Sequence, residues 1–78
     1  MNKLKIPPHN LEAEQSIIGS VLIDKECLFK VVDVVQTDYF YDEKHRVIWE
    51  AFTQLNSAHT PIDILTVSDK LKKESLLL

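Results

Sequence analysis

Apolar residues recur every three or four positions along most of the chain, which is the spacing of one face of an α-helix. Four such segments are separated by short polar or proline-containing stretches, and together they predict an all-α fold. We expect the segments to pack as a small orthogonal bundle of about four helices with an extended N-terminal arm. The predicted helices cover residues 11–22, 25–35, 42–56 and 64–74.

Three of the four predicted helices follow a residue that favours a helix start. Asn10, Asp24 and Asp63 carry side-chain oxygens that can accept hydrogen bonds from the free N–H groups of a first turn. Asp42 and Glu43 place negative charge at the start of the third helix, where the helix dipole favours it. These residues support the starts that the periodicity predicts.

Two residues are assigned special backbone roles. Asn56 is expected to take the left-handed conformation that ends the third helix, and Pro61 prevents the helix from continuing. Gly19, the only glycine, lies inside the first helix, where it costs about 1 kcal/mol relative to alanine. Its expected benefit is the close approach of a neighbouring helix.

The third segment has the clearest apolar stripe and supplies most of the predicted core, with Ile48, Trp49 and Phe52 on it. The preceding residues 36–41 have no clear period. We interpret them as a turn that places Phe40 in the core.

The two ends of the chain differ from the middle. Pro7 and Pro8 prevent a helix from running through residues 1–9, so we expect an extended arm there and a globular part over residues 10–78. Three consecutive leucines at 76–78 indicate a chain that continues into another packed segment. The alternative is that they fold back onto the helices.

Composition limits the class of protein. A chain of 78 residues with 45% hydrophobic and 27% charged residues suits one small globular domain. Its net charge of −3 argues against a domain that mainly neutralises phosphates. The single cysteine, Cys27, cannot form an internal disulfide, and neither a signal peptide nor a membrane span is visible. We therefore expect a cytoplasmic protein without membrane contact.

The motifs that usually carry chemistry are missing from the sequence. It contains no glycine-rich phosphate loop, no HExxH and no CxxC, and its histidines at 9, 45 and 59 lack ligand spacing. We expect no catalytic, cofactor-binding or metal-binding residue, and no cofactor.

Three features each allow a functional and a structural interpretation. His45 could be a proton donor or a pH-sensitive contact, or a ring that packs at the core edge with a local hydrogen bond. Cys27 could pair with His45 as a nucleophile, or fill the core as a small apolar group. Trp49 and Phe52 with the nearby tyrosines could stack on single-stranded nucleic acid, or form the core. The acidic neighbours and the single arginine favour the structural interpretation of the aromatic residues.

Three longer patterns are more specific than generic helices. Residues 7–22 read PPHNLEAEQSIIGSVL, residues 38–41 read DYFY, and residues 61–63 read PID. The second pattern is followed by His45, Ile48, Ala51 and Leu55, and the third by Thr66, Val67 and Leu71. In this order and at this spacing the patterns closely resemble the N-terminal domain of bacterial replicative DNA helicases of the DnaB type, over about residues 6–75.

The resemblance implies an all-α domain in which a helical head, ending near Leu78, precedes a helical hairpin. It also implies a non-catalytic assembly and docking function, in which such domains pair and form a collar in a hexamer. The ATP-dependent 5′–3′ motor of the family lies in a separate domain. Expected partners are further copies of the chain, primase and other replisome proteins, with no direct nucleic acid contact from this part.

The expected contact surfaces are the faces of the first two helices that do not pack on the third. Ile17 and Val21 are the predicted interface residues, and core membership is the alternative for both. A free-standing nucleic-acid-binding module of the helix-turn-helix kind is the alternative function, although the acidic charge and single arginine speak against it.

Overall fold

The computed structural model describes residues 10–77, apart from the side chains of Lys25 and of residues 75–77. Within this range the chain forms helices and no strands, so the all-α prediction is confirmed. The predicted arm at residues 1–9 and the packing of the leucines at 76–78 lie outside the described residues and side chains. The elements are α1 (Leu11–Ile23), α2 (Lys25–Val31), a 3₁₀ turn (Thr37–Tyr39), α3 (Glu43–Ser57) and α4 (Ile64–Leu77).

All four helices begin where a side-chain oxygen accepts a backbone N–H, which the sequence predicts for α1, α2 and α4. The strongest example is the start of α4, where two residues cap each other. The Asp63 carboxylate accepts the N–H of Thr66 at 2.8 Å, and the Thr66 hydroxyl accepts the N–H of Asp63 at 3.0 Å. The other caps are Asn10 for α1, Asp24 for α2 and Asp42 for α3.

The prediction for the second helix is wrong at its C-terminal end, because α2 stops at Val31 and not at residue 35. The N–H groups of Val34 and Val35 both donate to the carbonyl of Val31, which closes a turn. Valine side chains lose χ1 freedom in a helix, which lowers their helix propensity, so ending the helix in this valine-rich stretch costs little free energy. The carbonyl of Val35 then accepts the indole N–H of Trp49 at 3.2 Å, which fixes the turn to α3.

The prediction that Asn56 ends α3 in a left-handed conformation is also wrong. His59 takes that conformation, with a φ of 58°. The N–H of Thr60 donates to the carbonyl of Leu55 at 2.9 Å. The N–H of His59 donates to the carbonyl of Asn56 at 3.0 Å. This pair of bonds is a Schellman motif, a helix ending that usually places glycine where this chain has His59.

The core is centred on an aromatic cluster at α3. Trp49 and Phe52 are fully buried, and Phe40, from the segment before α3, is buried against them. The ring centroids of Phe40 and Trp49 are 5.3 Å apart, and those of Trp49 and Phe52 are 5.7 Å apart in an edge-to-face arrangement. These three core predictions are confirmed, whereas Ile48 is only partly buried at the edge of the cluster. The buried aliphatic residues around the rings are Ile18, Val21, Leu28, Leu55, Ile62 and Val67.

Gly19 does not serve the close helix approach that its position suggests. Among the described residues, a Cβ placed on Gly19 would meet no heavy atom of a neighbouring element within 4 Å. The packing of these residues therefore does not require glycine there.

Candidate functional site

A buried carboxylate joins α1 to the start of α3. Glu14, in the first turn of α1, is only 7% exposed. Its Oε2 accepts the N–H of Tyr41 at 2.8 Å, and its Oε1 accepts the N–H of Asp42 at 3.3 Å. The Nδ1 of His45 lies 2.7 Å from the same Oε1. One side chain thus connects three residues that lie 27 to 31 positions away along the chain.

The hydrogen-bond partners of Glu14 stabilise its negative charge. Burial alone raises the pKa of this carboxyl, because a low-dielectric environment disfavours the charged form. The hydrogen bonds from His45, Tyr41 and Asp42, together with the electrostatic attraction of His45, outweigh burial and hold the pKa of Glu14 below its ordinary value. Glu14 is therefore ionised at neutral pH and acts as an anionic anchor.

His45 packs at the core edge, as its structural interpretation holds, but its hydrogen bond is not local. The residue is 8% exposed, and its ring meets Phe40 edge-on at a centroid distance of 6.3 Å. An ionised carboxylate can only accept hydrogen bonds, so Nδ1 carries the proton that bonds Glu14. This fixes the imidazole tautomer and leaves Nδ1 unavailable as a base.

Sequence reasoning missed the role of Glu14. No spacing rule connects an acid in one helix with a histidine 31 positions later. The only available signal was that both residues lie inside the motifs that carry the family resemblance.

The two predicted interface residues differ in their surroundings. Val21 is fully buried in the chain's own core, which was the alternative interpretation. Ile17 is half-buried and packs against that core with part of its side chain accessible. A contact between Ile17 and a partner stays a prediction.

The other candidate residues are spread over the surface and the core. Cys27 is half-buried and packs against the core from the first turn of α2. Tyr39 and Tyr41 are exposed beside acidic residues, while Trp49, Phe40 and Phe52 lie in the core. Two of the three lysines of α4 form i,i+4 ion pairs, Lys70 with Glu74 and Lys73 with Asp69. Over residues 10–77 we find no group of three or more His, Cys, Asp or Glu side chains that could hold a metal ion.

Large apolar side chains also lie on the surface, away from the aromatic core. Ile23, at the end of α1, is 89% exposed, and Phe29, on α2, is 65% exposed. Ile64 and Leu65, at the start of α4, are 71% and 77% exposed. No helix in the described part of the chain is both long and apolar enough to cross a membrane.

The class defined by this fold is a small all-α domain, and comparison with known proteins gives the family. Residues 6–78 match the model of the DnaB-like helicase N terminal domain, and the chain belongs to that family. This confirms the resemblance and favours it over the alternative of a free-standing helix-turn-helix module.

Individual relatives agree with this assignment. The chain is 42% identical over 77 residues to the replicative DNA helicase DnaB of Buchnera aphidicola subsp. Schizaphis graminum, covering 99% of this chain and 17% of that protein. It is 42% identical over 69 residues to the DnaB of Leifsonia xyli subsp. xyli, covering 88% of this chain and 15% of that protein. The chain therefore spans less than a fifth of the length of either helicase.

A solved structure supports the same conclusion. The crystal structure of the N-terminal domain of DnaB helicase from Mycobacterium tuberculosis matches with a TM-score of 0.85 at 32% sequence identity. The match covers 92% of this chain and 50% of that chain. The described helices thus have the arrangement found in about half of that domain.

Proposed function

We propose that this chain is the non-catalytic assembly and partner-docking domain of a replicative DNA helicase. In this function it supports formation of the hexamer and its collar, and it contacts primase during DNA replication in the cytoplasm. The observation that carries the proposal is the fold likeness to the N-terminal domain of a DnaB helicase, with a TM-score of 0.85 over 92% of the chain.

The surface of the domain supports a docking function over nucleic acid binding. The net charge is −3, and Arg46 is the only arginine. A protein that binds DNA through its backbone needs several cations on one face, because most of the affinity comes from neutralised phosphates. Exposed apolar residues such as Ile23 and Phe29 instead offer the type of side chain that is buried in protein interfaces.

Self-association is the first property to test. Sedimentation velocity of the chain over a range of concentrations should show reversible association, and Ile17→Ala should weaken it. Val47→Ala is the matched control, because Val47 is an exposed aliphatic residue on a different helix, α3. Thermal unfolding of both variants verifies that they remain folded. If both substitutions weakened self-association equally, Ile17 would not be an interface residue.

Partner binding is the second property. Titration calorimetry with a purified bacterial primase should give saturable binding, whereas fluorescence anisotropy with labelled DNA at low salt should give none. A chain that stays monomeric at every concentration and does not bind primase contradicts the proposal. Tight DNA binding that weakens steeply with salt would also contradict it, since that is the behaviour of a phosphate-binding protein.

A further inference from the structure

A surface groove lies where the start of α1 meets the start of α3, and we call it the α1–α3 groove. It has a volume of about 520 Å³. The residues that line it are Leu11, Tyr41, Asp42, Glu43 and Arg46. Leu11 and Tyr41 supply its apolar part and are 42% and 53% exposed. Tyr41 has this exposure although it makes a further interaction besides the bond from its N–H to Glu14.

The charged residues that line the α1–α3 groove are two acids and one base. Asp42 and Glu43 each carry a carboxylate, and Arg46 carries the positive charge. The Asp42 carboxylate also accepts the N–H of Lys44 at 2.8 Å, and Glu43 is exposed. The groove thus combines an apolar surface with an excess of negative charge, which favours a cationic ligand that also has apolar side chains.

The nine residues before Asn10 have the complementary composition. They contain Lys3 and Lys5 and no acidic residue, and Ile6, Pro7 and Pro8 follow the lysines. Proline has a fixed φ, and consecutive prolines favour the polyproline II conformation, so such a segment loses little entropy when it binds. Aromatic-lined grooves bind proline-containing segments for this reason.

The connection along the chain places this segment beside the α1–α3 groove. Asn10 caps α1, and the next residue, Leu11, is part of the groove lining. An extended chain spans at most about 3.6 Å per residue, so Lys5 lies no more than about 18 Å from Asn10. A ligand on so short a tether has an effective concentration in the millimolar range, at which weak contacts are populated.

We propose that the α1–α3 groove is the binding site for residues 3–8 of the same chain. The two prolines pack on the exposed ring of Tyr41, and the two lysines lie beside the carboxylates that line the groove. The bound segment joins the start of α1 to the start of α3 at the surface, whereas Glu14 joins them in the interior. This contact within the chain does not depend on the proposed docking function.

Backbone ¹⁵N relaxation of the whole chain tests the binding. The amide of Ile6 should have an order parameter above about 0.6 when the segment is bound, whereas a flexible segment has a lower value. Tyr41→Ala removes the apolar ring and should lower the order parameter of Ile6 below about 0.6. Tyr39→Ala is the matched control, because Tyr39 is an exposed tyrosine that does not line the groove, and it should leave the Ile6 amide unchanged.

A charge reversal tests the electrostatic part of the binding, and it decides the matter if Tyr41→Ala does not fold. Glu43→Lys should also lower the order parameter of Ile6, since the groove then repels the two lysines. Glu50→Lys is its control, because Glu50 is an exposed acid further along α3 that does not line the groove. Thermal unfolding followed by circular dichroism verifies that each variant is folded.

Three results would contradict the binding of residues 3–8 to the groove. The first is an Ile6 order parameter below about 0.6 in the unmodified chain. The second is an equal effect of each variant and its control. The third comes from a mixture of isotope-labelled and unlabelled chains. Nuclear Overhauser effects between Pro7 or Pro8 and Tyr41 within one chain support the proposal, and effects only between chains overturn it in favour of exchange between copies.

Discussion

Replacing His59 by glycine should stabilise the domain. His59 is the only non-glycine residue of the described chain with a positive φ, at 58°. The left-handed conformation costs an ordinary L-residue about 1–2 kcal/mol, and glycine avoids this cost. Glycine also loses more chain entropy on folding, which offsets part of the gain.

The net effect of His59→Gly on the free energy of unfolding depends on the contacts that the substitution retains. The Schellman bonds at His59 and Thr60 come from the backbone, so glycine retains them, and the exposed imidazole contributes little packing. We therefore expect His59→Gly to raise the free energy of unfolding by about 0.5–1 kcal/mol. For a domain of this size that corresponds to an increase in Tm of about 2–8 °C.

Thermal and urea unfolding followed by circular dichroism measure the change. The matched control is Ala58→Gly, because Ala58 precedes His59 with a φ of −85° and gains nothing from glycine. This control should be unchanged or less stable. A lower Tm for His59→Gly, or the same gain in both variants, would refute the assignment of backbone strain to His59.

Three further predictions follow from the core, from α1 and from the buried carboxylate. Gly19→Ala should raise the free energy of unfolding, measured with urea, by about 1 kcal/mol, because the added methyl group meets no atom of the described residues within 4 Å. A decrease in the free energy of unfolding would contradict the absence of such a contact. Trp49→Ala should lower the free energy of unfolding by about 3–5 kcal/mol, and an unchanged melting temperature would contradict the core position of the fully buried indole. The folded-state pKa of Glu14 is lowered, so its contribution to stability is complete above the unfolded pKa near 4.5 and is lost as the pH falls through the folded pKa. Urea midpoints should therefore decrease below about pH 4.5, and less so in Glu14→Gln than in Glu12→Gln.

The features that could be predicted from the sequence are those set by neighbours along the chain. A cap such as Asp63 acts within one helical turn, and the stripe of α3 that buries Trp49 is visible as a 3.6-residue period. The prediction from neighbouring residues was wrong at the end of α3, where two residues could adopt the left-handed conformation. Both Asn56 and His59 tolerate the left-handed region better than most residues, and the one that is used is set by how far α3 continues before Pro61.

The contacts of Glu14 show why the rest could not be predicted. Its partners become neighbours only after α1 and α3 have packed, and a glutamate in a first turn satisfies the helix-dipole rule whether or not it is buried. The end of α2 is a similar case, because Val35 is held by the indole of Trp49, which is 14 positions away. Tertiary hydrogen bonds, rather than propensity, decided both features.

Two observations about the outer surface of α1 and α2 are not explained by the stability of this chain. Gly19 weakens α1 without serving a contact within residues 10–77, and Ile23 and Phe29 leave most of their apolar surface in water. Both features oppose the stability of the isolated domain, and both lie on the helices whose outer faces the sequence indicated as contact surfaces. A domain that works by docking has a reason to keep them, because bound partners would bury the apolar side chains and could approach the bare backbone of Gly19. If those positions instead mattered only within the chain, replacing Phe29 by serine would leave self-association and primase binding unchanged.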